Sequence, residues 1–420
     1  MKTQLKEELE KQLSKLRNSN YSLIITVDGC NVENKNYVVD KLIDRIPPKY
    51  LKLVDKPQGK FQIKDYWVNQ PANKCITIYD GSYMSNLMHK EAKKLREEVA
   101  FFETQMFKYG TFIIHIYVDD EKGKNIDKFF ESDLGTEAIN IHTCKKDKKA
   151  AYEEVLEDIL YNSDFTEYIK AANSIQKTKE PKKYSMPEIP ADINSWKFTS
   201  EEKYDAKLDE LKKELRKLHK KFIDNDLAVN IVFQGIDAAG KSSTIRRLTT
   251  GMVPHMFNVY GFGAPSEEEL SHHYLWRFWT KLPDKGEIVV FDRSWYERLT
   301  AERVLKITHN WGDGVQEIAE FEREMNQRGI LTIKLWFDID KDTQLERFNE
   351  RKRNPLKQWK FSKSDMETRK LWDVYQNAFA YMLNNTEGWF IIDSRVKKEA
   401  RINTLKVVIK EMKKFLKENK

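Results

Sequence analysis

Cysteine is scarce in this chain, and the few cysteines form no recognised pattern. Only Cys30, Cys75 and Cys144 occur among 420 residues, and none has the C-x-x-C or C-x-x-H spacing of a redox or zinc motif. This scarcity excludes a disulfide framework, and it predicts a reducing, cytoplasmic setting.

Long apolar runs are also missing. No stretch approaches the roughly 20 apolar residues that a membrane helix needs, so we expect no membrane partner. The first residues, MKTQLKEELEKQLSKLR, alternate in charge at helical spacing without an apolar signal core, which predicts an exposed helix. A mean hydropathy of −0.70 and 33% charged residues indicate a soluble protein, while 40% hydrophobic residues suffice for real cores.

The net charge is modest, at +7 with a pI of about 8.8. Such a surplus suits a polyanionic partner, but it carries little meaning unless the basic residues cluster. The sequence permits a homo-oligomer without specifying one.

The length allows two ordinary domains, and the composition divides the chain near its middle. The tract IQKTKEPKKYSMPEIPADINSW is rich in proline and lysine and interrupts regular structure. We therefore predict a first domain over 1–175, a linker over 176–200 and a second domain over 201–420. Ser200 is the expected N-cap of a helix whose leucines fall on one stripe.

Apolar strands alternate with helices in the second half, which is typical of an α/β fold with a parallel sheet. The predicted strands are AVNIVFQ, EIVVFDRS and ILTIKLWFDI. The first half repeats the order: SLIITVDG parallels NIVFQG, CITIYDGSYMSNL parallels IVVFDRSWYERL, and VAFFETQMFKYGTFIIHIYVDD parallels IAEFEREMNQRGILTIKLWFDID. Three matches in one order predict a tandem duplication, with both halves sharing one fold.

The stretch GIDAAGKS, residues 235–242, fits the phosphate-binding pattern G-x-x-x-x-G-K-[ST] directly after a predicted strand. Glycines let successive N–H groups face phosphate oxygens, Lys241 adds a positive charge, and the Ser242 hydroxyl suits Mg²⁺. The predicted phosphate-binding residues are Gly235, Ala238, Ala239, Gly240, Lys241, Ser242 and Ser243.

Charged residues near this loop suggest catalytic roles. Asp237 lies inside the loop, where a carboxylate repels phosphate unless it holds a metal ion or a proton; the alternative is a turn-forming Asp that bonds its own backbone. Asp292, at the end of the next apolar strand, is the expected Mg²⁺ carboxylate. Arg293 and Arg298 follow and could neutralise a migrating phosphoryl group. The predicted metal ligands are Asp237, Asp292 and Ser242.

A basic segment, ERFNERKRNPLKQWKFSKSD, follows the third predicted strand. A charge run is commonly only a solvated helix face, but beside a phosphate loop it is where nucleoside-monophosphate kinases keep a lid. The predicted lid residues are Arg351, Arg353, Lys357 and Lys360.

Two histidines, His272 and His273, precede the second strand of the pattern. Neighbouring residues do not share a helix face and no third ligand is spaced for zinc, so structural roles are predicted for both. Trp276, Phe278 and Trp279 are expected in a core.

Three separated motifs resemble the polyphosphate kinase 2 family, most closely its tandem-domain, polyphosphate:AMP phosphotransferase type. They are GIDAAGKSS, APSEEELSHHYLWRFWTKLPDKGEIVVFDRSWYERLTAERV and RNPLKQWKFSKSD. The resemblance implies Mg²⁺-dependent transfer of a phosphate from inorganic polyphosphate to a nucleotide, typically AMP. It implies that Asp237 and Asp292 handle the metal and the acceptor phosphate, and that polyphosphate binds a basic channel through the lid.

Two other functions stay open. A family member could act on nucleoside diphosphates and make ATP or GTP. Alternatively, a P-loop protein of basic pI could bind nucleotides or nucleic acid without catalysis, although a sensor would not need the full set of site cations. No nucleic-acid partner is expected.

The first half carries a damaged copy of the loop, DGCNVENKN. Asn31 stands at the place of Asp237, Asn34 at Gly240 and Asn36 at Ser242, although Lys35 and Asp80 survive. The basic lid has no counterpart there. We therefore predict that the first half is catalytically inactive and serves as a scaffold, an interface or a docking surface.

Overall fold

In the part of the chain that the structure describes, the protein folds around two five-stranded sheets. The computed structural model describes residues 7–8, 11–12, 14–16, 18, 20–55, 62–87, 93–119, 138–162, 178–179, 181–308, 310–355, 358 and 363–419. The chain divides into two units: unit 1 contains residues 1–176 and 265–280, and unit 2 contains 177–264 and 281–420.

Unit 1 contains a wholly parallel sheet in the order β2-β3-β1-β4-β5. Its strands are β1 Ser22–Asp28, β2 Leu51–Asp55, β3 Ile76–Asp80, β4 Thr111–Val118 and β5 Ile139–Thr143. Its helices from the first half of the sequence are α1 Val32–Ile43, α2 Lys64–Asn69, α3 Met84–Leu87, α4 Lys93–Lys108 and α5 Lys148–Asn162, with a 3₁₀ turn at Pro48–Tyr50.

Unit 2 contains the second parallel sheet, in the order β10-β9-β6-β8-β7. Its strands are β6 Ala228–Gln234, β7 Phe257–Gly261, β8 Ile288–Asp292, β9 Ile330–Asp338 and β10 Trp389–Asp393. The helices of the second half are α6 Glu201–Asp224, α7 Lys241–Thr249, α8 Glu267–Leu270, α9 Trp276–Trp279, α10 Ala301–Val304, α11 Gly314–Gln327, α12 Lys341–Arg353, α13 Lys363–Lys370, α14 Trp372–Asn385 and α15 Lys397–Glu418, with a 3₁₀ turn at Trp295–Leu299.

The two sheets have the same topology. Counted from the first strand of each unit, both run in the order 2-3-1-4-5. The central strands β1 and β6 are buried along their whole length, as expected for strands with neighbours on both sides and helices on both faces. The predicted fold class, two tandem α/β units with parallel sheets, is confirmed.

A buried polar network recurs at the same place in both units. In unit 1, His115 Nε2 lies 3.0 Å from Glu103, and the Tyr83 hydroxyl donates to the same carboxylate. In unit 2, Lys334 donates to Glu322 at 2.6 Å and the hydroxyl of Tyr296 donates to its second oxygen at 2.8 Å. Glu103 is buried and Glu322 partly buried, and the recurrence of a carboxylate bonded by a tyrosine and a basic side chain at matching positions supports a common origin.

The segment 265–280 comes from the second half of the sequence but packs within unit 1. Trp279 stacks on Trp67 with centroids 5.6 Å apart, and the backbone N–H of His273 donates to Gln70 at 3.0 Å. Trp279 and Phe278 are buried, whereas His272 stacks on Trp276 at 4.1 Å. The two histidines and these aromatic residues therefore make packing and hydrogen-bond contacts, in a core to which α2 contributes Trp67.

Part of the predicted linker and the helix after it lie among the described residues. Residues 181–190 form no helix or strand. Asn194 bonds the outer edge of β10 through Ile391 and Asp393, which covers that edge. Ser200 caps α6 by accepting from the N–H of Lys203, as predicted. Among the described residues, no helix is long and apolar enough to cross a membrane.

Candidate active site

The loop between β6 and α7 has the backbone of a phosphate cradle. Gly235 and Gly240 have φ of +140° and +102°, and a Cβ on Gly235 would lie 2.5 Å from the carbonyl oxygen of Phe337. Ala238 also has a positive φ, +66°, which is uncommon for a residue with a side chain. The close approach of β9 leaves room only for glycine at position 235, and the backbone strain at Ala238 lies in the same loop.

The carbonyls of this loop are already bonded elsewhere. Lys241 Nζ donates to Gly235 at 2.6 Å and to Ile236 at 3.3 Å. The next three carbonyls, of Asp237, Ala238 and Ala239, accept from Gln344 at 3.1 Å, from Arg347 at 2.8 Å and from the hydroxyl of Ser394. With its acceptors occupied, the loop can offer its N–H groups to an anion.

Three of these donors were missed by reading the sequence. Gln344 and Arg347 lie on α12, and Ser394 directly follows β10. Arg347 was counted only within the basic run, yet it is buried and also donates to the carbonyls of Ser394 and Arg395. No local pattern marks a side chain that bonds a backbone carbonyl more than 100 residues away.

Helix α7 begins without a side-chain cap. Gly240 is its N-cap and supplies no hydrogen bond to the first turn. The first N–H groups of a helix lack partners within the helix and carry partial positive charge. An uncapped first turn beside a glycine-rich loop is a suitable anion site.

Lys241 is buried at this point. Burial lowers the pKa of its ammonium group, and the carboxylates of Asp292 and Asp237 partly offset that effect. The lysine therefore faces acidic groups in a dry environment, where a charge interacts more strongly than in water.

Ser242 and Asp292 fit a hard metal ion. Ser242 Oγ lies 3.1 Å from Asp292 Oδ2, so a hydroxyl and a carboxylate oxygen meet at the end of β8. Within the described part of the chain, no group of three or more His, Cys, Asp or Glu residues could hold a metal. Mg²⁺ commonly uses one or two carboxylates and takes its other ligands from water and substrate phosphates, so this pair suits it.

Asp237 and Arg293 form an ion pair, with Arg293 Nη2 2.6 Å from Asp237 Oδ1. Burial opposes ionisation of Asp237, but the positive charges of Arg293, Lys241 and Arg351 outweigh it, and the pKa of Asp237 is lowered. The structure thus brings together two predicted site residues, and it presents one oxygen of Asp237 to the guanidinium group.

Glu297 is a further member of the site that the sequence did not single out. Its carboxylate lies 3.8 Å from Arg293. Burial raises its pKa, against the opposing effects of Arg293 and Lys241. Burial together with the charges of Glu297 and Asp237 also raises the pKa of Tyr375 to about 12. Asp237 and Glu297 therefore both contact Arg293 beside the loop.

The contacts of Arg298 point elsewhere. Its Nη1 lies 3.6 Å from Glu302, and Nη2 donates to the carbonyl of Asn310 at 3.4 Å. A role for Arg298 in neutralising phosphate charge stays a prediction.

The predicted lid is only partly described. Arg351 and Arg353 lie in the last turn of α12, and the charge of Arg351 acts on Asp237. Arg353 lines a shallow surface pocket with Glu346 and Glu350. Lys357 and Lys360 lie outside the described residues.

The corresponding loop of unit 1 has a different structure. Helix α1 begins at Val32, three residues before Lys35, whereas α7 begins at Lys241 itself. The side chain of Asn31 caps α1 by accepting from the N–H of Asn34 at 3.0 Å. Lys35 forms an ion pair with Asp80. The residues that would form the cradle are therefore wound into a capped helix, and this N–H group is already bonded.

Comparison with known proteins shows consistent likenesses. The family model for Polyphosphate kinase 2 matches residues 198–420. A polyphosphate:AMP phosphotransferase of Acinetobacter johnsonii is 28% identical over 440 aligned positions, covering 93% of this chain and 91% of the relative. An AMP/ADP-polyphosphate phosphotransferase of Meiothermus ruber is 40% identical over 170 positions, covering 39% of this chain and 64% of the relative.

A solved structure described as a polyphosphate kinase 2, from Pseudomonas aeruginosa, matches the fold. Its TM-score is 0.82 at 24% identity, and the match covers 100% of this chain and 96% of that chain. Both halves of the chain thus have a counterpart of known fold.

Proposed function

The chain belongs to the polyphosphate kinase 2 family, and we propose that it transfers a phosphate from inorganic polyphosphate to AMP, giving ADP, in a reversible reaction. It is a phosphotransferase. The observation that carries the choice of acceptor is the likeness to a polyphosphate:AMP phosphotransferase along nearly the whole of both chains.

The phosphate loop of unit 2 provides the binding site for the reacting phosphates. Its N–H groups, the first turn of α7 and Lys241 surround the space where phosphoryl oxygens would lie. Because the loop carbonyls are held by Gln344, Arg347 and Ser394, the donors are fixed before substrate arrives. Donors that need no rearrangement stabilise developing charge most effectively.

Kinase activity in this family implies a divalent metal ion, and we propose Mg²⁺, held by Asp292 and Ser242. When bound, Mg²⁺ would neutralise charge that develops on the phosphoryl oxygens. Lys241 lies close enough to interact with Asp292 and contributes a second positive charge.

Asp237 and Arg293 act as a linked pair in this proposal. Arg293 stabilises the phosphoryl group in transit, and Asp237 fixes the orientation of its guanidinium group through the 2.6 Å contact. Glu297 holds the other side of Arg293. Oriented donors of this kind account for a large part of catalysis by phosphotransferases. Arg351 and Arg353, with Lys357 and Lys360, would close over the polyphosphate as a lid.

Unit 1 is, in this proposal, catalytically inactive. Its loop residues are helical, and Asn34 is held by the carbonyl of Lys145 at 2.8 Å. A phosphate would have to displace both the Asn31 cap and this hydrogen bond.

A coupled assay tests the proposal. The purified protein is given polyphosphate and Mg²⁺ with AMP, ADP or GDP in separate reactions, beside the variants Lys241→Ala and Lys35→Ala. We expect ADP from AMP, its loss in Lys241→Ala and its retention in Lys35→Ala. Loss of activity in Lys35→Ala with an intact fold would contradict the assignment of an inactive first unit.

A second candidate, transfer to nucleoside diphosphates, rests on other relatives. An ADP-polyphosphate phosphotransferase of Pseudomonas aeruginosa is 36% identical over 219 positions, covering 51% of this chain and 72% of the relative. ATP formed only from ADP in the same assay would favour this candidate over the AMP reaction.

A further inference from the structure

A groove of about 730 Å³ lies on unit 2, between α6, α15 and the edge strand β10. Its floor includes the apolar side chains of Leu211, Phe390 and Val407. Its lining includes six lysines, namely Lys207, Lys406, Lys410, Lys413, Lys414 and Lys417. The proposed reaction does not use this groove.

Five of these lysines form one line along α15. Positions 406, 410, 414 and 417 are separated by the three- and four-residue steps that place side chains on one face of a helix, and Lys413 lies directly beside Lys414. Eleven residues separate the first from the last, so the line is about 16 Å long at 1.5 Å per residue. A linear array of positive charge suits a linear anion better than a compact one.

The groove lining also includes Asp192, Glu214 and Glu418, so its six lysines leave a net charge of +3 (6 − 3). Lys413 pairs with Glu214, and Lys406 donates to the hydroxyl of Ser195 at 2.9 Å. Among the described residues, no carboxylate forms an ion pair with Lys410, Lys414 or Lys417. Closely spaced like charges repel one another, and an anion would relieve that repulsion.

The fold does not require a basic helix here. Helix α5 follows the fifth strand of unit 1, as α15 follows the fifth strand of unit 2. Helix α5 carries two lysines and four acidic residues, whereas α15 carries eight basic and three acidic residues. The same structural position is thus acidic in one unit and basic in the other.

Helix α15 starts beside the phosphate loop. Arg401, in its second turn, lies 3.4 Å from Ser243, and the preceding Ser394 bonds Ala239. Lys406 follows Arg401 by five residues, or about 7.5 Å along the helix. At about 100° per residue, Lys406 also lies about 140° around the helix from Arg401, so the lysines occupy a different face of α15 from the one that contacts the loop, and a polymer bound at both would have to pass around the helix.

We propose that the lysine face of α15 is an exosite for the polyphosphate chain, outside the catalytic site. This rests on the proposed function, because polyphosphate is the linear polyanion that the reaction consumes. Lysines offer mobile point charges, which suit an anion bound without fixed register. The apolar floor supports the lysine stems, as apolar surfaces commonly do under long cationic side chains. AMP, with a single phosphate, would engage only one or two of the five.

The test compares two triple variants of the full chain. Lys410→Gln/Lys414→Gln/Lys417→Gln removes three charges from the exosite. Lys213→Gln/Lys217→Gln/Lys220→Gln removes three exposed charges from another face of α6 and is the matched control. Binding of fluorescently labelled long-chain polyphosphate is measured at several salt concentrations. KM is then measured with long-chain polyphosphate and with tripolyphosphate as donors.

We expect the exosite variant to raise the KM for long-chain polyphosphate about tenfold relative to the KM for tripolyphosphate. The slope of log binding constant against log salt concentration for the long chain should become shallower by about two, since each of the three lost contacts contributes about 0.7. The control should change neither. Equal values in both variants would overturn the exosite. Displacement of the labelled chain by AMP would overturn it as well. Displacement by duplex DNA of matched charge, seen in the control variant but not in the exosite variant, would show that the lysine face binds polyanions in general and would also overturn the assignment to polyphosphate.

Failure of the proposed function would look different. In that case no donor would be consumed by any variant, while the binding measurement would still report whether the lysine face holds polyphosphate.

Discussion

Gly81 and Arg293 occupy the same position in the two units. Each follows the aspartate that ends the neighbour of the central strand, and each donates its N–H to that central strand, to Val27 at 2.9 Å and to Phe233 at 3.0 Å. Both have a left-handed backbone, with φ of +86° and +70°. Glycine adopts this conformation freely, whereas an arginine there carries strain of about 1 kcal/mol or more.

Arg293→Gly should therefore lose activity without losing much stability. Relief of strain offsets part of the lost pairing with Asp237, so the free energy of unfolding should change by no more than about 1 kcal/mol. The rate constant kcat should fall by about 100-fold or more, as when an oriented donor is removed from a transition state. Chemical denaturation and the coupled assay measure the two effects. A variant with near-normal kcat would remove Arg293 from the mechanism.

Asp237→Asn should destabilise the protein in a pH-dependent manner. The folded pKa of Asp237 is lowered below its ordinary value of 3.8, so its ionised form stabilises the fold above pH 3.8. That contribution is lost as the pH falls through 3.8 toward the folded pKa. Unfolding of both proteins between pH 3 and about 7 should show a difference in free energy at neutral pH that shrinks in acid. A difference that is constant with pH would contradict the assigned ion pair.

Arg347→Ala should disorder the phosphate loop. It removes the donor to the Ala238 carbonyl and two further backbone hydrogen bonds. We expect a loss of about 2–4 kcal/mol in unfolding free energy, because buried acceptors lose a charged donor. KM for polyphosphate should rise as well. Arg353→Ala, on the same helix but exposed, is the control for stability and should change the unfolding free energy by less than 0.5 kcal/mol or so. An equal effect of both changes would argue against the clamp.

Asn31→Ala should affect folding but not catalysis. The side chain caps α1, and loss of such a cap costs about 1 kcal/mol. Asp237→Ala, at the corresponding position of unit 2, should abolish most of the activity. Comparing kcat for the two variants tests the assignment of catalysis to unit 2. A fall in kcat for Asn31→Ala at a temperature where the protein stays folded would assign a catalytic role to unit 1.

Contiguous motifs made much of the fold and part of the site predictable. The loop at 235–242 and the matching segments of the repeat are contiguous in the sequence, and the central strands are continuous apolar runs, so both could be recognised without knowing the tertiary structure. All four edge strands, β2, β5, β7 and β10, were missed. Each has only five residues, and β2 and β7 are also largely exposed, so they lack the apolar pattern that marks buried strands. Gln344 and Ser394 were missed because their role depends on a carbonyl brought near by the sheet topology. Packing of 265–280 into unit 1 likewise depends on tertiary contacts such as that between Trp67 and Trp279.

If unit 1 is inactive, as proposed, the early start of α1 would make a phosphate site there difficult to restore during evolution. Replacing Asn34 by glycine would restore one residue of the motif. The turn from Val32 to Lys35 would still be helical, held by its backbone hydrogen bonds and capped by Asn31. Several substitutions would be needed together, and each alone would weaken a helix without returning a phosphate site. On the proposed division of roles, selection would act on the first half for its fold alone, while the chemistry of the second half would constrain each residue of its loop.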